Sequence, residues 1–298
     1  MKLLQHIRGL ALHEDLNFLL TNRIPRIAAT HLVGWLSRIR HPWVYRPCLW
    51  LWTRFTSLDL SDALHTDFQS LHECFTRALR PGARPVDGSA LVVVSPSDGI
   101  VGACGPIETG EAGQTQVFQA KGFPYLLEDL LGNSARARHW AGQLAGGHFV
   151  TLRLTSAMYH RFHAPDNARL SHVTYISGDT WNVNPIALRR VERLFCKNER
   201  AVLHLQLTNG QWLLLVPVAA VLVASMRLHA LDVPLNLRYR GPNELPCDAH
   251  YQRGEEMGWF EHGSTIIVLA PAGMSLLPGI ACGRLLRMGE GLLRKPVP

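Results

Sequence analysis

The chain has 298 residues, of which 47% are hydrophobic and 18% charged, so it is long enough to bury a sizeable core. Its six cysteines are scattered and form no C-x-x-C pair, which argues against a disulfide framework or a zinc site and favours a reducing compartment. The net charge of +7 leaves nucleic acid and anionic lipid open as partners, because both attract basic segments.

Basic residues and tryptophans coincide at the start of the chain. Residues 1–58 contain eight Lys or Arg, two acids and four of the eight tryptophans. Tryptophan beside arginine on short apolar helices is typical of a lipid headgroup layer, so we expect no nucleic acid partner. The alternative is an ordinary helical subdomain packed on the body. The residues expected to contact an anionic membrane surface are Trp35, Arg38, Arg40, Trp50 and Trp52.

Residues 1–80 are predicted to be mainly helical. Pro42 and Pro47 favour short, bent helices over one long rod. A basic, proline-bearing connector at residues 80–85 is the predicted domain boundary. The spacing of apolar residues predicts helices over 26–40, 44–55 and 67–78.

The body, residues 86–298, is predicted to be a β-rich catalytic domain, which makes the fold class α+β. Its longest apolar run, 212–226, contains a proline and is shorter than the roughly 18 residues of a spanning helix, so it is interpreted as buried strands. Some helix is expected near 125–131 and 188–195. Strands are predicted at 91–94, 150–155, 203–207, 212–216 and 264–269, with an Asn-Gly hairpin turn at 209–210.

Three short motifs in the body could carry chemistry, although each has an ordinary structural interpretation. The turn at 95–99 holds Asp98, and an aspartate in a turn usually accepts backbone N–H groups. The segment 159–165 holds two of the chain's 15 histidines, most of which must be structural. Gly263-Ser264-Thr265 is common in loops, and the residues that follow exclude a G-x-S-x-G elbow.

Taken together, the motifs offer an acid, a base and a nucleophile. A serine becomes nucleophilic when a base takes its proton, and the base needs an orienting acid. Asp98, His163 and Ser264 fit those roles. His160 could serve a second proton transfer. Many proteins contain a Ser, a His and an Asp, so the set is suggestive rather than specific, and a serine hydrolase acting on an external substrate is an alternative.

The order of these motifs resembles the phosphatidylserine decarboxylase family. The specific blocks are 159–165, which matches Y-H-R-x-H-x-P, and 254–265, which matches G-x-E-x-G-x-F followed by G-S-T. The similarity runs from about residue 22 to residue 270. Met158 and His262 stand where the family commonly has Asp and Leu.

The resemblance implies a proenzyme that cleaves itself between Gly263 and Ser264. In that scheme His163, oriented by Asp98, takes the proton of Ser264, which ends as a pyruvoyl group. The pyruvoyl group forms a Schiff base with phosphatidylserine and releases carbon dioxide to give phosphatidylethanolamine. His160 then reprotonates the substrate carbon. No metal or diffusible cofactor is implied.

The same resemblance implies where the protein works and with what. Residues 264–298 would remain as a second subunit, a homodimer is a family-level expectation, and the location would be peripheral, on the cytoplasmic face of a bacterial inner membrane. Two alternatives stay open: a membrane-binding paralogue that neither cleaves nor catalyses, and the serine hydrolase.

Overall fold

The computed structural model describes residues 14–110, 113–119, 123–221, 225–261 and 264–297. The helices in these ranges are α1 Glu14–Asn22, α2 Arg26–Ser37, α3 Pro42–Phe55, α4 Leu71–Phe75, α5 Leu127–Leu131, α6 Ala135–Gln143, α7 Pro185–Leu188 and α8 Leu194–Lys197. The strands up to the Asn-Gly turn are β1 Val92–Val94, β2 Gly99–Pro106, β3 Glu108–Thr109, β4 Thr115–Phe118, β5 Pro124–Leu126, β6 His148–Leu154, β7 Arg161–His163, β8 Ala168–Ile176 and β9 Arg200–Leu207. The later strands are β10 Trp212–Ala219, β11 Ser225–Leu228, β12 Leu235–Asn236, β13 Glu244–Tyr251, β14 Glu256–Phe260, β15 Ser264–Ala270, β16 Ser275–Leu276, β17 Leu285–Leu286 and β18 Gly291–Arg294.

The predicted order, short N-terminal helices followed by a β-rich body, is confirmed. Pro42 is the first residue of α3, where its missing N–H costs nothing. Pro47 lies inside α3 without dividing it. The helix predicted over 67–78 is confined to α4, whose N-terminus is capped by Ser70.

The main sheet has eight strands in the order β13-β8-β9-β10-β15-β6-β2-β17, and every neighbouring pair is antiparallel. β15 is central and buried on both faces. Ile266 belongs to the core on one face, which we call the large core, whereas Ile267 belongs to the core on the face covered by helices. Burial on both faces explains why the sequence here is continuously apolar rather than alternating.

A second sheet, in the order β12-β11-β14-β7, lies on the large core. Phe162 of β7 and Phe260 of β14 pack there with ring centroids 5.3 Å apart. A Cβ at Gly258 would lie 2.0 Å from the backbone oxygen of Arg227. The close pairing of β14 with β11 therefore requires glycine at this position.

The N-terminal helices are joined to the body by an ion pair and by ring packing. Arg26 of α2 donates to Asp179 at 2.5 and 3.2 Å, and its guanidinium lies 3.8 Å from the centroid of the Trp181 ring. Within the part of the chain that the structure describes, no helix has the length and apolarity needed to span a membrane.

Candidate active site

Ser264 is the first residue of β15 and lies in the middle of the main sheet. It pairs with Ala219 of β10 and Leu154 of β6, and its side chain is buried. Its hydroxyl has no hydrogen-bond partner among the described residues. Leaving a buried hydroxyl unpaired costs about 1–3 kcal/mol, and with no hydrogen bond to break this hydroxyl is available to react. His262 and Gly263, which carry the other side of the predicted cleavage site, lie outside the described residues.

The side chain of Ser264 points toward the large core. Ile266, two residues further along β15, contributes to that core, and side chains two apart on a strand share a face. Phe162 and Phe260 of the second sheet lie in the same core. Ser264 therefore faces the layer that carries the segment 159–163.

Both ring nitrogens of His163 are hydrogen-bonded. Nδ1 is 2.9 Å from the carbonyl oxygen of Gly254, and Nε2 is 3.0 Å from the hydroxyl of Tyr159. A carbonyl only accepts, so Nδ1 carries the proton and Nε2 of the neutral ring accepts from Tyr159. Burial lowers the pKa of His163, against smaller raising effects from the Gly254 bond and from the charges of Glu256 and Asp98. His163 is thus held in the neutral form, which can take a proton.

Gly254 positions the ring of His163 through its backbone. Its φ of +82° lies in the left-handed region, which glycine adopts without a Cβ clash. Its N–H donates to Ala164 at 2.8 Å, and the N–H of Ala164 donates to Glu255 at 2.8 Å. These two bonds hold the loop against the end of β7. The motif that begins at Gly254 therefore serves the orientation of His163.

Asp98 is buried and anchored by Arg84. The carboxylate accepts from Arg84 Nη2 at 2.7 Å and Nε at 2.9 Å, and from the N–H of Met288 at 2.9 Å. The N–H of His163 donates to the carbonyl of Pro96 at 2.7 Å, which brings the turn containing Asp98 beside β7. No hydrogen bond joins the side chains of Asp98 and His163 in the described structure. Asp98 acts on His163 through its charge, which raises the pKa of the ring.

His160 is buried immediately before β7. Its ring centroid lies 3.9 Å from that of Phe75, and its Nδ1 donates to the carbonyl oxygen of Met158 at 2.8 Å. Its own carbonyl accepts from the N–H of Phe260 at 3.0 Å. Because the backbone of Met158 makes the bond to His160, the side chain at this position does not alter it.

All four predicted catalytic residues are buried. Asp98 and His163 lie on neighbouring segments, which a backbone hydrogen bond between His163 and Pro96 joins. No hydrogen bond joins His163 to Ser264 among the described residues. Sequence reasoning did not identify Tyr159 as the partner of His163, although its place in the Y-H-R-x-H motif was a signal for it.

A cavity of about 560 Å³ opens where β6 and β10 end and β15 begins. Its walls come from the N-terminal helices and from the sheet, and include Val33 of α2, Trp52 of α3, Phe75 of α4 and Leu154 of β6. Leu154 is the cross-strand partner of Ser264, and Phe75 packs on His160. The cavity therefore adjoins the candidate active site.

Of the residues predicted to contact a membrane, some are exposed on the N-terminal helices and others make contacts within the protein. Trp35 and Trp50 are 65% and 63% exposed, and Arg40 is exposed. Arg38 forms an ion pair with Glu261. Trp52 points inward, with its ring centroid 6.0 Å from that of Phe75.

Three exposed large apolar side chains on α3 are absent from the predicted membrane contacts. Trp43 is 87% exposed, Leu51 50% and Phe55 39%. Trp43 follows the proline at the start of α3, and its exposure depends on how this helix packs against α4, which sequence spacing does not reveal.

Comparison with known proteins relates most of the chain to the family that its motifs resemble. The family model described as phosphatidylserine decarboxylase matches residues 71–294. A phosphatidylserine decarboxylase proenzyme of Polaromonas naphthalenivorans is 35% identical over 90% of this chain and 93% of its own length. A protein of the same name from Chromobacterium violaceum is 34% identical over 94% of this chain and 99% of its own length.

Proposed function

Since the chain belongs to the phosphatidylserine decarboxylase family, we propose that it is made as a proenzyme that cuts its own backbone between Gly263 and Ser264. The enzyme activity is that of a phosphatidylserine decarboxylase. The observation that carries the self-cleavage proposal is the buried, unpartnered hydroxyl of Ser264 at the first residue of a central strand. The names of the relatives, which call them proenzymes, support it.

The cleavage begins with a proton transfer. His163, neutral because burial lowers its pKa, takes the proton of Ser264 as the serine oxygen attacks the carbonyl carbon of Gly263. The C–N bond then breaks, the nitrogen regains a proton, and an ester joins the two residues. Tyr159 donates to Nε2 of His163 and must give way or relay the proton for this step.

The ester then breaks by elimination. A base removes the α-proton of Ser264, the Cβ–O bond breaks, and Gly263 leaves as a carboxylate. The remaining dehydroalanine takes up water and loses ammonia, which leaves a pyruvoyl group at position 264. The reaction consumes water only and needs no oxidant, metal or diffusible cofactor.

The residues around position 264 fit such a group. It would be flanked by Ala219 and Leu154, and the small side chain of Ala219 leaves room on the core face. The pyruvoyl carbonyl supplies an electron sink for the amino acid headgroup as carbon dioxide leaves. His160 packs against Phe75, which lines the cavity. It is the proposed proton donor to the substrate carbon.

The contacts of the C-terminal fragment support its retention as a second subunit. Residues 264–270 pair along both edges with β10 and β6, and β18 pairs with β1. Lys295 forms a buried ion pair with Asp166 at 2.6 Å. Breaking such a buried pair is strongly destabilising, so the two fragments should copurify.

We further infer a peripheral position on a membrane, on the cytoplasmic face of a bacterial inner membrane. The exposed rings of Trp35, Trp43 and Trp50 support it, together with the exposed Arg40, because interfacial tryptophans and cations favour an anionic headgroup layer.

A homodimer stays a prediction from the family resemblance, and sedimentation of the processed enzyme checks it.

Intact-mass spectrometry of the full-length protein tests the proposal. The wild-type chain should yield a fragment of residues 264–298, 35 residues long and lighter by one ammonia than the same peptide with an N-terminal serine. Ser264→Ala should stay uncut. With phosphatidylserine vesicles, the wild-type enzyme should release carbon dioxide and the variant should not.

Two other outcomes would overturn the proposal. An uncut wild-type chain whose serine reacts with a fluorophosphonate probe would indicate a serine hydrolase. An uncut, unreactive chain that binds vesicles would indicate a membrane-binding paralogue without catalytic activity.

A further inference from the structure

The cavity beside Ser264 is apolar on most of its surface and carries one cation. Its walls are built mainly from aliphatic and aromatic side chains of α2, α3, α4 and the sheet, and its remaining polar side chains are neutral. Arg153 of β6 is the one charged residue among those lining it, and no carboxylate lines it in the described part of the chain.

Arg153 has no partner for its charge within the described structure. Its guanidinium makes no hydrogen bond or ion pair there, in contrast to Arg26, Arg84 and Arg161, each of which contacts a carboxylate. Burial lowers the pKa of Arg153. Outside the described residues, the sequence has a single acidic side chain, Glu111. A half-buried cation without an anion is unfavourable, so the site calls for an anionic ligand.

The combination of apolar walls and one half-buried guanidinium fits an amphiphile whose headgroup is anionic. Arginine binds phosphate through two parallel N–H donors, which gives both strength and orientation. We propose that Arg153 binds the phosphate of the phospholipid substrate, with the glycerol and the start of the acyl chains against the apolar wall formed by Val33, Trp52 and Phe75. This inference rests on the proposed function, and it adds the residue that positions the substrate.

The position of Arg153 on its strand favours the phosphate over the substrate carboxylate. Arg153 pairs with Thr265, and the next residue of β6, Leu154, pairs with Ser264. Neighbouring residues on a strand point to opposite faces, so Arg153 and Ser264 point away from each other. The carboxylate of the substrate must lie at the reacting centre, where a bound cation would stabilise it and so oppose the release of carbon dioxide. The phosphate is separated from the α-carbon that carries this carboxylate by a methylene and an ester oxygen.

Steady-state kinetics on monomeric dihexanoyl phosphatidylserine test the inference in the processed enzyme. Arg153→Gln should raise KM about tenfold or more, because it removes charge-assisted hydrogen bonds, and leave kcat near the wild-type value. Arg153→Lys should recover part of the loss. Arg294→Gln removes the same charge from an exposed strand residue outside the cavity and should change neither constant. Equal KM values for Arg153→Gln and Arg294→Gln would overturn the inference.

A binding measurement separates this inference from the proposed function. Calorimetric titration of the uncut Ser264→Ala chain with dihexanoyl phosphatidylglycerol should show binding, and Arg153→Gln should weaken it about tenfold. Uncharged dihexanoylglycerol should bind both chains alike. If wild-type enzyme never cleaves or decarboxylates while this Arg153-dependent binding is present, the proposed function fails and the phosphate site stands. Unchanged affinity in Arg153→Gln, or inorganic phosphate binding as tightly as the lipid, would overturn the lipid site.

Discussion

Arg38, directly after the last residue of α2, forms an ion pair with Glu261, the last described residue before Ser264. The pair joins a basic, tryptophan-bearing helix to the segment that leads into the proposed cleavage site. Glu261 is largely buried, whereas Arg38 is half-exposed. The ion pair therefore connects the C-terminal end of α2 to the residue after β14, just before the proposed cleavage site.

Breaking this ion pair should slow self-cleavage. Exposed and half-exposed pairs contribute up to about 1 kcal/mol, so Arg38→Gln should reduce the cleavage rate by up to about fivefold. The rate is measured from intact masses during expression in a cell-free system. The charge-swapped protein, Arg38→Glu with Glu261→Arg, should regain part of the rate.

A matched control comes from the same segment. Arg40 is exposed and has no carboxylate partner in the described structure, so Arg40→Gln should weaken vesicle binding and leave cleavage unchanged. If Arg38→Gln and Arg40→Gln cleave at the same rate, the Arg38–Glu261 pair has no part in processing.

The two histidines should separate cleavage from decarboxylation. His163→Ala removes the proposed base and should leave the chain uncut. His160→Ala should still yield the C-terminal fragment, with decarboxylation reduced by about 100-fold, the usual range for loss of a general acid. Fragment mass and carbon dioxide release are measured on the same samples. An uncut His160→Ala chain would contradict this division of labour.

Self-cleavage should depend on pH through His163. Burial lowers its pKa from the ordinary value of 6.5, so the ring is neutral near pH 7 and the cleavage rate should fall only as acid protonates it, below pH 6.5. The charge of Asp98 raises that pKa, so Asp98→Asn should move the inflection to lower pH. A shift to higher pH, or none, would show that the charge of Asp98 does not act on His163.

Local patterns predicted the elements that lie near the site but not the contacts within it. The strand at 264–269 and the hairpin around Asn209-Gly210 were found because periodicity and turn chemistry are local, and Gly210 has the expected positive φ of 81°. Helix α6 was not predicted. Its sequence is polar and lacks a clear apolar stripe, and it is stabilised by burial of Trp140 and by the Ser134 cap.

Local sequence patterns do not predict which residues of the site contact each other, because the contacting residues are distant in the chain. His163 and Gly254 are 91 residues apart, and Arg38 and Glu261 are 223 apart. His163 and Gly254 each belong to a motif that the sequence reveals, yet only the pairing of β7 with β14 brings the two residues together. Arg153 gave no signal in the sequence, since its importance lies in the absence of a nearby acid.

Glu199 should make folding stability fall as pH rises. It is buried, its Oε1 accepts from the hydroxyl of Tyr175 at 2.5 Å, and Oε2 has no partner among the described residues. Burial raises its pKa from 4.5 to about 8. The folded state therefore keeps a proton that the unfolded state loses, so this contribution is complete below about pH 4.5 and is lost as pH rises to about 8.

Glu199→Gln tests that contribution because it imitates the protonated side chain. In the uncut Ser264→Ala background, the free energy of unfolding in urea is compared at about pH 4, below the unfolded-state pKa, and at pH 8.5. The two proteins should differ little at the lower pH. At the higher pH, the protein that retains Glu199 should be the less stable by a few kcal/mol, on the order expected for a shift of this size. A constant difference between the two proteins at both pH values would contradict the assignment.

Membrane binding should depend on the exposed tryptophans of the N-terminal helices. Trp35→Ala with Trp50→Ala removes two exposed rings, each of which contributes on the order of 1.5–3 kcal/mol when buried, so binding to anionic vesicles should weaken by at least about tenfold. Leu285→Ala, which removes an exposed apolar side chain from β17 in the main sheet, should bind like the wild-type protein. Cosedimentation with vesicles measures both. Because the tryptophan variants retain the cavity and Ser264, they should still cleave themselves and decarboxylate monomeric dihexanoyl phosphatidylserine normally. Loss of activity on the monomeric lipid would mean that these rings support the fold of the site rather than its contact with a membrane.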